Sequence, residues 1–447
     1  MNTNAFIDLL FDRAKQAGFE ASEIYLSRGS SFQTAVNKGE ITRYNVSESL
    51  NLGFRGLYNG KMGCASTQVL DEDAAEMLVS CAKAGAELCE SEDEEFIFEG
   101  SGRYPEVNGS YPALTALTAA EKIALTRSLE EKALAYDSRI ASCSHCALFS
   151  GSRDVRMVNS RGLDLSAHRD HLGAYVFPIA RRGDKTGTAG RQLLVNDPAM
   201  LDLDKLARES AEEAIVFLEA QSIPSGRMRI LLRADIAADL METFSGVFSA
   251  DAAQKGLSLL RGKEGEAIAS ACVNLVDDPL LPDGYASHAF DGEGVAARKK
   301  SIVTEGRLDT LLHNLKTARK QGVQTTGNAA RASVAGPMTV APSNFHFLPS
   351  ARSRDELFQD AGEALLVTDL MGMHSGANAV SGDFSLGAKG FLIRNGKVDR
   401  PVNQITIAGN FFELLRNIEA VGSDLEFGAS CFASPTLMIR SLSVAGK

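Results

Sequence analysis

Apolar residues recur at helical spacing at the start of the chain and then give way to alternating patterns. Phe6 and Leu10 share one helix face, and Gly18 follows where a left-handed C-cap is needed. Asn59-Gly60 is a strong two-residue hairpin signal. Strands are predicted over 23–28, 31–37, 41–46, 50–57 and 62–66. A helix over 71–88 completes a unit of helix, antiparallel strands and helix.

The same order of elements returns further along the chain. A helix is predicted over 119–136 and a closing helix over 198–218. Asn159-Ser160-Arg161-Gly162 takes the place of the earlier turn Asn37-Lys38-Gly39. Strands between the helices are predicted over 147–149, 155–158, 163–166 and 172–179. We therefore predict two related units, at about 1–96 and 112–220, in an N-terminal α+β domain over 1–220. The acidic run 90–95 between them is interpreted as a solvated linker.

Beyond a linker that contains Pro224 and Gly226, the pattern changes. A helix is predicted over 235–248, and the chain then becomes rich in glycine and in short apolar strands. Those strands are predicted over 228–232, 302–304, 339–341, 364–368, 391–393, 405–407 and 436–441, with turns at Glu305-Gly306 and Asn395-Gly396. This texture favours a β-rich, rolled or barrel-like C-terminal domain over 226–447. The predicted fold class is α+β.

Composition excludes several classes of protein. The 447 residues are 44% hydrophobic and carry a net charge of −11, which disfavours direct binding to nucleic acid. Seven scattered cysteines are an odd number, so we expect a reducing compartment and no disulfide framework. The first residues lack a signal-peptide pattern, and no stretch approaches 18 uncharged apolar residues. We expect a cytoplasmic protein that does not enter a membrane.

Few residues suggest chemistry by their spacing. Cys143 and Cys146 with His168 and His171 offer zinc donors, but strand residues three apart point to opposite faces. Asp291-Gly292-Glu293-Gly294 is interpreted as a tight turn, because no helix with a lysine follows it. The remaining histidines are dispersed at positions 288, 313, 346 and 374. From residue chemistry alone, the sequence specifies no mechanism.

A series of short segments in the C-terminal half resembles the TldD/PmbA family, which is named for modulation of DNA gyrase and placed among metallopeptidases. Their joint order over about 200 residues makes the resemblance specific. The segments are Asp251-Ala-Ala-Gln-Lys-Gly256, Val276-Asp-Asp-Pro279, Asp291-Gly-Glu-Gly294, Thr325-Thr-Gly-Asn328, Ser381-Gly-Asp-Phe384, Gly387-Ala-Lys-Gly390, Ile393-Arg-Asn-Gly-Lys-Val398 and Val421-Gly-Ser-Asp-Leu425. Asn37-Lys38-Gly39-Glu40 and Gly53-Phe54-Arg55-Gly56 extend it to the N-terminal half.

The resemblance implies where a zinc site lies in the TldD branch of the family. There, His-Glu-x-x-x-His on a helix supplies two ligands and the general base, and a C-terminal Cys completes the site. The matching positions here are Met241, Glu242 and Gly246, so only the glutamate remains. Neither Met nor Gly replaces a neutral imidazole as a zinc ligand. Cys431 lies near the family's C-terminal Cys but is interpreted as a small buried residue.

The resemblance therefore implies a PmbA/TldE-type subunit without zinc or another cofactor of its own. We expect a TldD-like zinc-bearing partner, an unfolded peptide substrate bound at a surface that the sequence does not identify, and a homodimer when the chain is isolated. Glu242 is expected to be an ordinary helix residue. Two alternatives remain open. One is a non-enzymatic protein that modulates a partner such as DNA gyrase, and the other is a stand-alone peptidase with a different metal site.

Overall fold

The computed structural model describes residues 1–90 and 93–447, and its N-terminal part is built from long strands and short helices. In chain order the elements are α1 (Thr3–Gln16), β1 (Ala21–Asn37), β2 (Glu40–Tyr58), β3 (Lys61–Thr67), α2 (Glu72–Glu87), α3 (Pro112–Thr115), α4 (Ala119–Ala135), β4 (Ile140–Asn159), β5 (Asp164–Arg182), β6 (Lys185–Thr188), β7 (Arg191–Val195) and α5 (Leu203–Val216), with 3₁₀ turns at Pro198–Met200 and Phe217–Glu219.

The strands of the two predicted units form one antiparallel sheet. Its order is β3-β2-β1-β4-β5-β6, and β7 also pairs with β5. The units meet where β1 pairs with β4, from Glu23 opposite Asn159 to Ala35 opposite Ala147. The repeated helix–strands–helix pattern is thus confirmed, but the two copies share a single sheet.

The breaks predicted within these strands are wrong. The predicted segments 23–28 and 31–37 are one strand, β1, and 41–46 and 50–57 are one strand, β2. Likewise, β4 and β5 each run for about twenty residues. The apolar pattern stops at Gly29-Ser30-Ser31 and at Ser47-Glu48-Ser49, yet the backbone pairing continues through both. Since no helix covers these residues, the ladder needs no apolar side chains there.

Helices cover the two ends of one sheet face and leave its middle open. At one end, Phe6 of α1 and Leu78 of α2 pack with Ile24 and Phe54 of the sheet. At the other end, α4 and α5 pack on β4 and β5 through a separate cluster. Glu130 of α4 also holds the β1–β2 hairpin, because its carboxylate accepts the Lys38 and Gly39 N–H groups, both at 2.8 Å.

The C-terminal part has shorter elements. They are β8 (Gly226–Leu232), α6 (Ala234–Phe244), a 3₁₀ turn (Ser245–Phe248), α7 (Ala250–Gln254), β9 (Leu275–Asp277), β10 (Lys300–Thr304), β11 (Arg307–Leu308), α8 (Leu315–Gln321), β12 (Ala329–Arg331), β13 (Met338–Val340), β14 (Phe345–Phe347), α9 (Arg354–Ala361), β15 (Ala364–Met371), α10 (Met373–Gly376), β16 (Asp383–Arg394), β17 (Lys397–Asn410), α11 (Phe411–Arg416), β18 (Ile418–Val421), β19 (Glu426–Phe427), β20 (Phe432–Ser434) and β21 (Leu437–Ala445).

Five of these strands close into a barrel, which confirms the predicted β-rich, barrel-like domain. The order β17-β16-β15-β8-β21 returns to β17 through a β17–β21 pairing. A second sheet, β11-β10-β9-β14-β20-β19, lies beside it. Helix α6 belongs to their shared core, where Phe244 stacks on Phe411 with ring centroids 4.6 Å apart. No helix in residues 1–90 and 93–447 is long and apolar enough to cross a bilayer.

The predicted hairpin turns form as expected. Asn59 and Gly60 have φ of 50° and 71°, and Asn395 and Gly396 have φ of 52° and 72°. Two consecutive positive φ angles define the type I′ turn that suits the twist of paired strands. These turns fix the registers of β2 with β3 and of β16 with β17.

The acidic run is not a solvated linker where the structure describes it. Ser91 and Glu92 lie outside the described residues. Lys316 of α8 pairs with Asp93 at 3.1 Å and with Glu95 at 2.8 Å, and Glu94 pairs with Arg319 of the same helix at 3.1 Å. The prediction is therefore wrong for 93–95, because α8 of the C-terminal part supplies cations that the local sequence does not reveal.

The segments that resemble the family supply buried polar contacts that connect the strands of the C-terminal part. Asp277 is fully buried and accepts hydrogen bonds from Ser343 and Asn328, while Lys300 lies 2.8 Å away. Burial opposes its charged form, but Lys300 and the hydrogen bonds outweigh this and hold the pKa of Asp277 below its usual value. A buried, fully bonded carboxylate of this kind fixes the relative positions of β9, β10 and β12.

The segment Asp291-Gly-Glu-Gly294 joins the two parts of the molecule. Asp291 accepts the backbone N–H groups of Glu293 and Val295, which makes the predicted tight turn. Gly294 lies against Leu163 and Met157 of the N-terminal sheet, and a Cβ there would press on both side chains. Burial first, and Asp291 second, raise the pKa of Glu293 to about 7.

A network of ion pairs around Glu23 of β1 is a second contact between the N-terminal sheet and the C-terminal part. The Glu23 side chain is completely buried and binds Arg55 of β2 at 2.8 Å and Arg331 of β12. The Arg331 guanidinium also lies 4.4 Å from the centre of the Tyr25 ring. Two buried guanidinium groups thus depend on one carboxylate, which links the sheet to the C-terminal part.

We expect Glu23→Gln to destabilise the protein by about 3 kcal/mol, because it leaves two buried cations without their counter-charge. Chemical denaturation measures the effect. Glu76→Gln, which removes the partner of Arg13 at an exposed position, is the matched control and should cost less than about 1 kcal/mol. Equal stability of the two variants would contradict the role assigned to Glu23.

His168 of β5 predicts a pH dependence of stability. Its Nδ1 lies 2.7 Å from Asp154 and its Nε2 lies 2.9 Å from buried Asp170. Burial lowers the pKa of His168, but the hydrogen bonds to the two carboxylates outweigh it and the net effect raises the pKa. The stabilisation is therefore complete below about pH 6.5, the unfolded value, and is lost as the pH rises through the raised pKa. The melting temperature of the native protein should exceed that of His168→Gln most at pH 5.5, and the gap should narrow towards pH 8.5. A gap that widens with pH would refute this.

Candidate functional site

The positions that the resemblance matches to the zinc-binding helix lie at the end of α6. Met241 is only 1% exposed and packs in the main core, while Glu242, the next residue, is exposed. The helix ends at Phe244 because a 3₁₀ turn over Ser245–Phe248 follows it. Gly246 lies in this turn and is exposed, and a Cβ built there meets no atom within 4 Å. The open space shows that glycine is not required here by packing.

Cys431 approaches α6 from the second sheet. It directly precedes β20, which packs against α6, and its carbonyl accepts the Phe345 N–H at 2.9 Å. Burial first, and the Glu242 carboxylate second, raise the pKa of the Cys431 thiol to about 12. The structure thus brings Glu242 and Cys431 together, and the thiol is protonated at neutral pH.

The residues at this position do not fit a zinc centre. The Met241 side chain points into the core, Gly246 offers no donor, and the Cys431 thiol is not ionised near pH 7. Among residues 1–90 and 93–447, no group of three or more His, Cys, Asp or Glu side chains is placed to hold a metal. That the chain contains no zinc stays a prediction that metal analysis must test.

An acidic row runs along α6 to this position. Asp235, Asp239 and Glu242 follow at spacings of four and three, which places them on one helix face. Arg233 pairs with Asp235 at 2.6 Å and leaves the other two without a cation at that distance. Burial first, and then Asp235 and Glu242, raise the pKa of Asp239 to about 7. Asp239 therefore exchanges a proton near neutral pH, a property that the spacing alone does not predict.

The alternative site at Cys143 and Cys146 has a geometry that the sequence argument did not foresee. A bulge in β4 between Cys143 and His145 turns both thiols to the same buried side, so the argument from opposite faces is wrong. Burial raises the pKa of Cys143 to about 12 and raises that of Cys146 as well. His168 lies elsewhere on the sheet, bound to its two aspartates. The four donors do not form a metal site.

The dispersed histidines remain apart. His288, His313 and His346 are largely buried, and burial lowers the pKa of each, so they are neutral at pH 7. His374 is exposed on α10. They do not gather around Glu242.

A groove of about 630 Å³ lies on the sheet face that is turned towards the C-terminal part. Its floor consists of small and polar residues at alternate positions of adjacent strands: Ser27, Gly29 and Ser31 of β1, Ser47 and Ser49 of β2, and Gly151 of β4. The loop 332–334 forms its roof, and the Val334 carbonyl lies so close to Gly53 that any Cβ there would clash. The strand interruptions at 29–31 and 47–49, which were misinterpreted as breaks, are the floor of this groove.

Strand β5 borders the groove. His171 lines it, with its ring over Gly151 and 5.9 Å from the ring of Tyr285. The neighbouring Arg169 lies near enough to Cys431 for each charge to act on the pKa of the other. Sequence reasoning missed Arg169 and Tyr285 and considered His171 only as a zinc donor, because only the packing of the two parts brings these three residues together. The arrangement suits an extended chain that lies along the sheet and reaches the end of α6.

Three family models match this chain in order. They are the PmbA/TldA metallopeptidase domain 1 over residues 22–86, the central domain over 112–218 and the C-terminal domain over 225–446. Together they cover most of the 447 residues.

Solved structures and curated relatives agree with this. The crystal structure of a protein from Thermotoga maritima, whose name connects it with modulation of a DNA gyrase, matches with a TM-score of 0.92 and 32% identity over 99% of this chain and 100% of that one. TldE from Thermococcus kodakarensis shares the fold, with a TM-score of 0.89 and 21% identity over 99% and 100% of the two chains. Metalloprotease PmbA of Escherichia coli O157:H7 is 25% identical over 96% of this chain and 93% of its own length. The chain therefore belongs to the PmbA/TldD family of metallopeptidases.

Proposed function

We propose that this chain is the metal-free, PmbA/TldE-type subunit of a cytoplasmic peptidase complex that degrades unfolded peptides, with a TldD-like zinc-bearing chain as its partner. One observation carries the proposal. Glu242 lies near enough to Cys431 to raise the pKa of its thiol, and the positions that the resemblance matches to the two zinc-binding histidines hold a buried Met241 and a Gly246.

The chemistry of this position supports a role other than catalysis. A zinc peptidase needs about three protein ligands and an open position for water. Without the metal, a water molecule beside Glu242 keeps its ordinary pKa, far above neutrality, and is a poor nucleophile at neutral pH. Glu242 therefore has no activated water to deprotonate.

The groove and the edge of β2 support peptide binding. Beyond its pairing with β3, which covers Leu52–Tyr58, the first half of β2 has β1 on one side and no described strand on the other. Ser47 and Ser49, at this open edge, also line the groove. An extended peptide that adds to the edge by backbone hydrogen bonds would continue into the groove. Such binding is independent of peptide sequence, as degradation of unfolded chains requires.

The isolated chain should hold no stoichiometric zinc and should not cleave unfolded peptides. Elemental analysis of the purified protein, followed by a casein assay with and without added zinc, measures both. Cleavage should appear after mixing with a family member that carries His-Glu-x-x-x-His. A control mixture, in which that partner's glutamate is replaced by Gln, should be inactive. One equivalent of tightly bound zinc with chelator-sensitive cleavage by this chain alone would overturn the proposal.

We also expect the isolated chain to form a dimer, because the surface that binds a like-folded partner can pair with a copy of itself. The interface should bury well over about 1,200 Å² in total. Light scattering coupled to size exclusion, over a range of micromolar concentrations, measures the mass. A monomer at the highest concentration would be the contrary result.

A further inference from the structure

Two arginines are direct cross-strand neighbours at the groove, which Arg153 lines. Arg153 of β4 and Arg169 of β5 are cross-strand partners on the sheet face that carries Gly151 and His171. Like charges directly opposite each other in a sheet are destabilising. Gly151 and His171 occupy the next such row, so the arginines lie beside the aromatic wall formed by His171 and Tyr285.

Neither arginine has a carboxylate partner among the described residues. Arg153 donates to the Ser27 hydroxyl at 3.0 Å, and Arg169 donates to the Ser287 carbonyl and lies 6.0 Å from the centre of the Tyr285 ring. Burial first, and then the charge of Arg153 among smaller effects, lower the pKa of Arg169, so its cation is disfavoured where it stands.

Arg153 is exposed and Arg169 is half-buried. Several other arginines that are buried or half-buried have carboxylate partners. Arg55 and Arg331 share the Glu23 carboxylate, and Arg233 pairs with both Glu213 and Asp235. A partly buried guanidinium beside a second one, without an anion, costs stability that a bound anion would restore. The planar fork of a guanidinium matches the geometry of a carboxylate, and two neighbouring guanidinium groups can both donate to one.

We propose that Arg153 and Arg169 bind a carboxylate of the peptide substrate, so that the chain prefers peptides with an anionic group at this point of the groove. The proposal rests on the proposed peptide-binding function and adds the chemistry that positions the peptide. The carboxylate comes from the peptide C-terminus or from an Asp or Glu side chain. Because Arg169 lies near Cys431, an anchored peptide extends from the arginines towards the end of α6.

Binding of fluorescent, unstructured peptides of one length, measured by anisotropy, tests this. One peptide has Glu residues and a free C-terminus, a second has Gln in their place, a third has Glu residues and an amidated C-terminus, and a fourth has neither carboxylate. The variants are Arg153→Gln and Arg169→Gln. Arg181→Gln is the matched control, because Arg181 lies at an exposed end of β5 and its side chain has no partner in the part of the chain that the structure describes.

The native protein and Arg181→Gln should bind a carboxylate-bearing peptide about tenfold more tightly than the fourth peptide. Arg153→Gln and Arg169→Gln should lose this preference, so that each variant binds all four peptides with similar affinity. The second and third peptides identify the source, since only the peptide that retains the recognised carboxylate keeps the gain. Arg153→Gln should also melt no lower than the native protein, because it relieves repulsion; a structural role would lower the melting temperature.

The outcomes separate the two proposals. If all four peptides bind equally to the native protein, or if Arg153→Gln weakens all of them alike, the carboxylate site is wrong and peptide binding stands. If no peptide binds at all, the proposed function fails, and the carboxylate site fails with it.

Discussion

The buried carboxylate of Glu23 is the constraint on which the arrangement of the molecule depends. It neutralises Arg55 within the sheet and Arg331 in the C-terminal part, so neither cation is stable in its place without it. Arg331 directly precedes the loop that roofs the groove, and the contact of Val334 with Gly53 holds that loop on β2. The groove therefore forms only where the N-terminal sheet and the C-terminal part pack together, and these contacts determine its shape.

The end of α6 is the position that the resemblance matches to a zinc-binding helix, and its side chains do not fit a zinc site. The helix still brings Glu242 to Cys431, because the core on its other side, with Met241 and Phe244, anchors it. A helix that must stay packed retains its position when its ligands are replaced, since packing and not the metal positions it. This separates the fold from the chemistry within one family.

Local signals predicted much of the fold. Each of these signals is formed by residues that are close together in the sequence. Examples are the turns at Asn59-Gly60 and Asn395-Gly396 and the apolar period of each helix. Contacts between distant segments were not predictable in this way. The pairing of β1 with β4, the ion pairs of the segment 93–95 with α8, and the approach of Arg169 to Cys431 each join residues far apart in sequence. The candidate position at Glu242 came from resemblance, while the groove needed the assembled structure.

The first half of β2 has a described strand on one side only, and this has a consequence for the solubility of the free chain. An exposed strand edge is a template on which any extended chain, including another copy, adds without limit and forms aggregates. Here the edge carries Glu40, Arg43 and Glu48, all exposed, among its polar residues. Charges along an edge oppose stacking of identical strands and admit a strand whose charges are complementary. The charged residues that allow a complementary peptide strand to pair with this edge therefore also oppose the growth of fibrils.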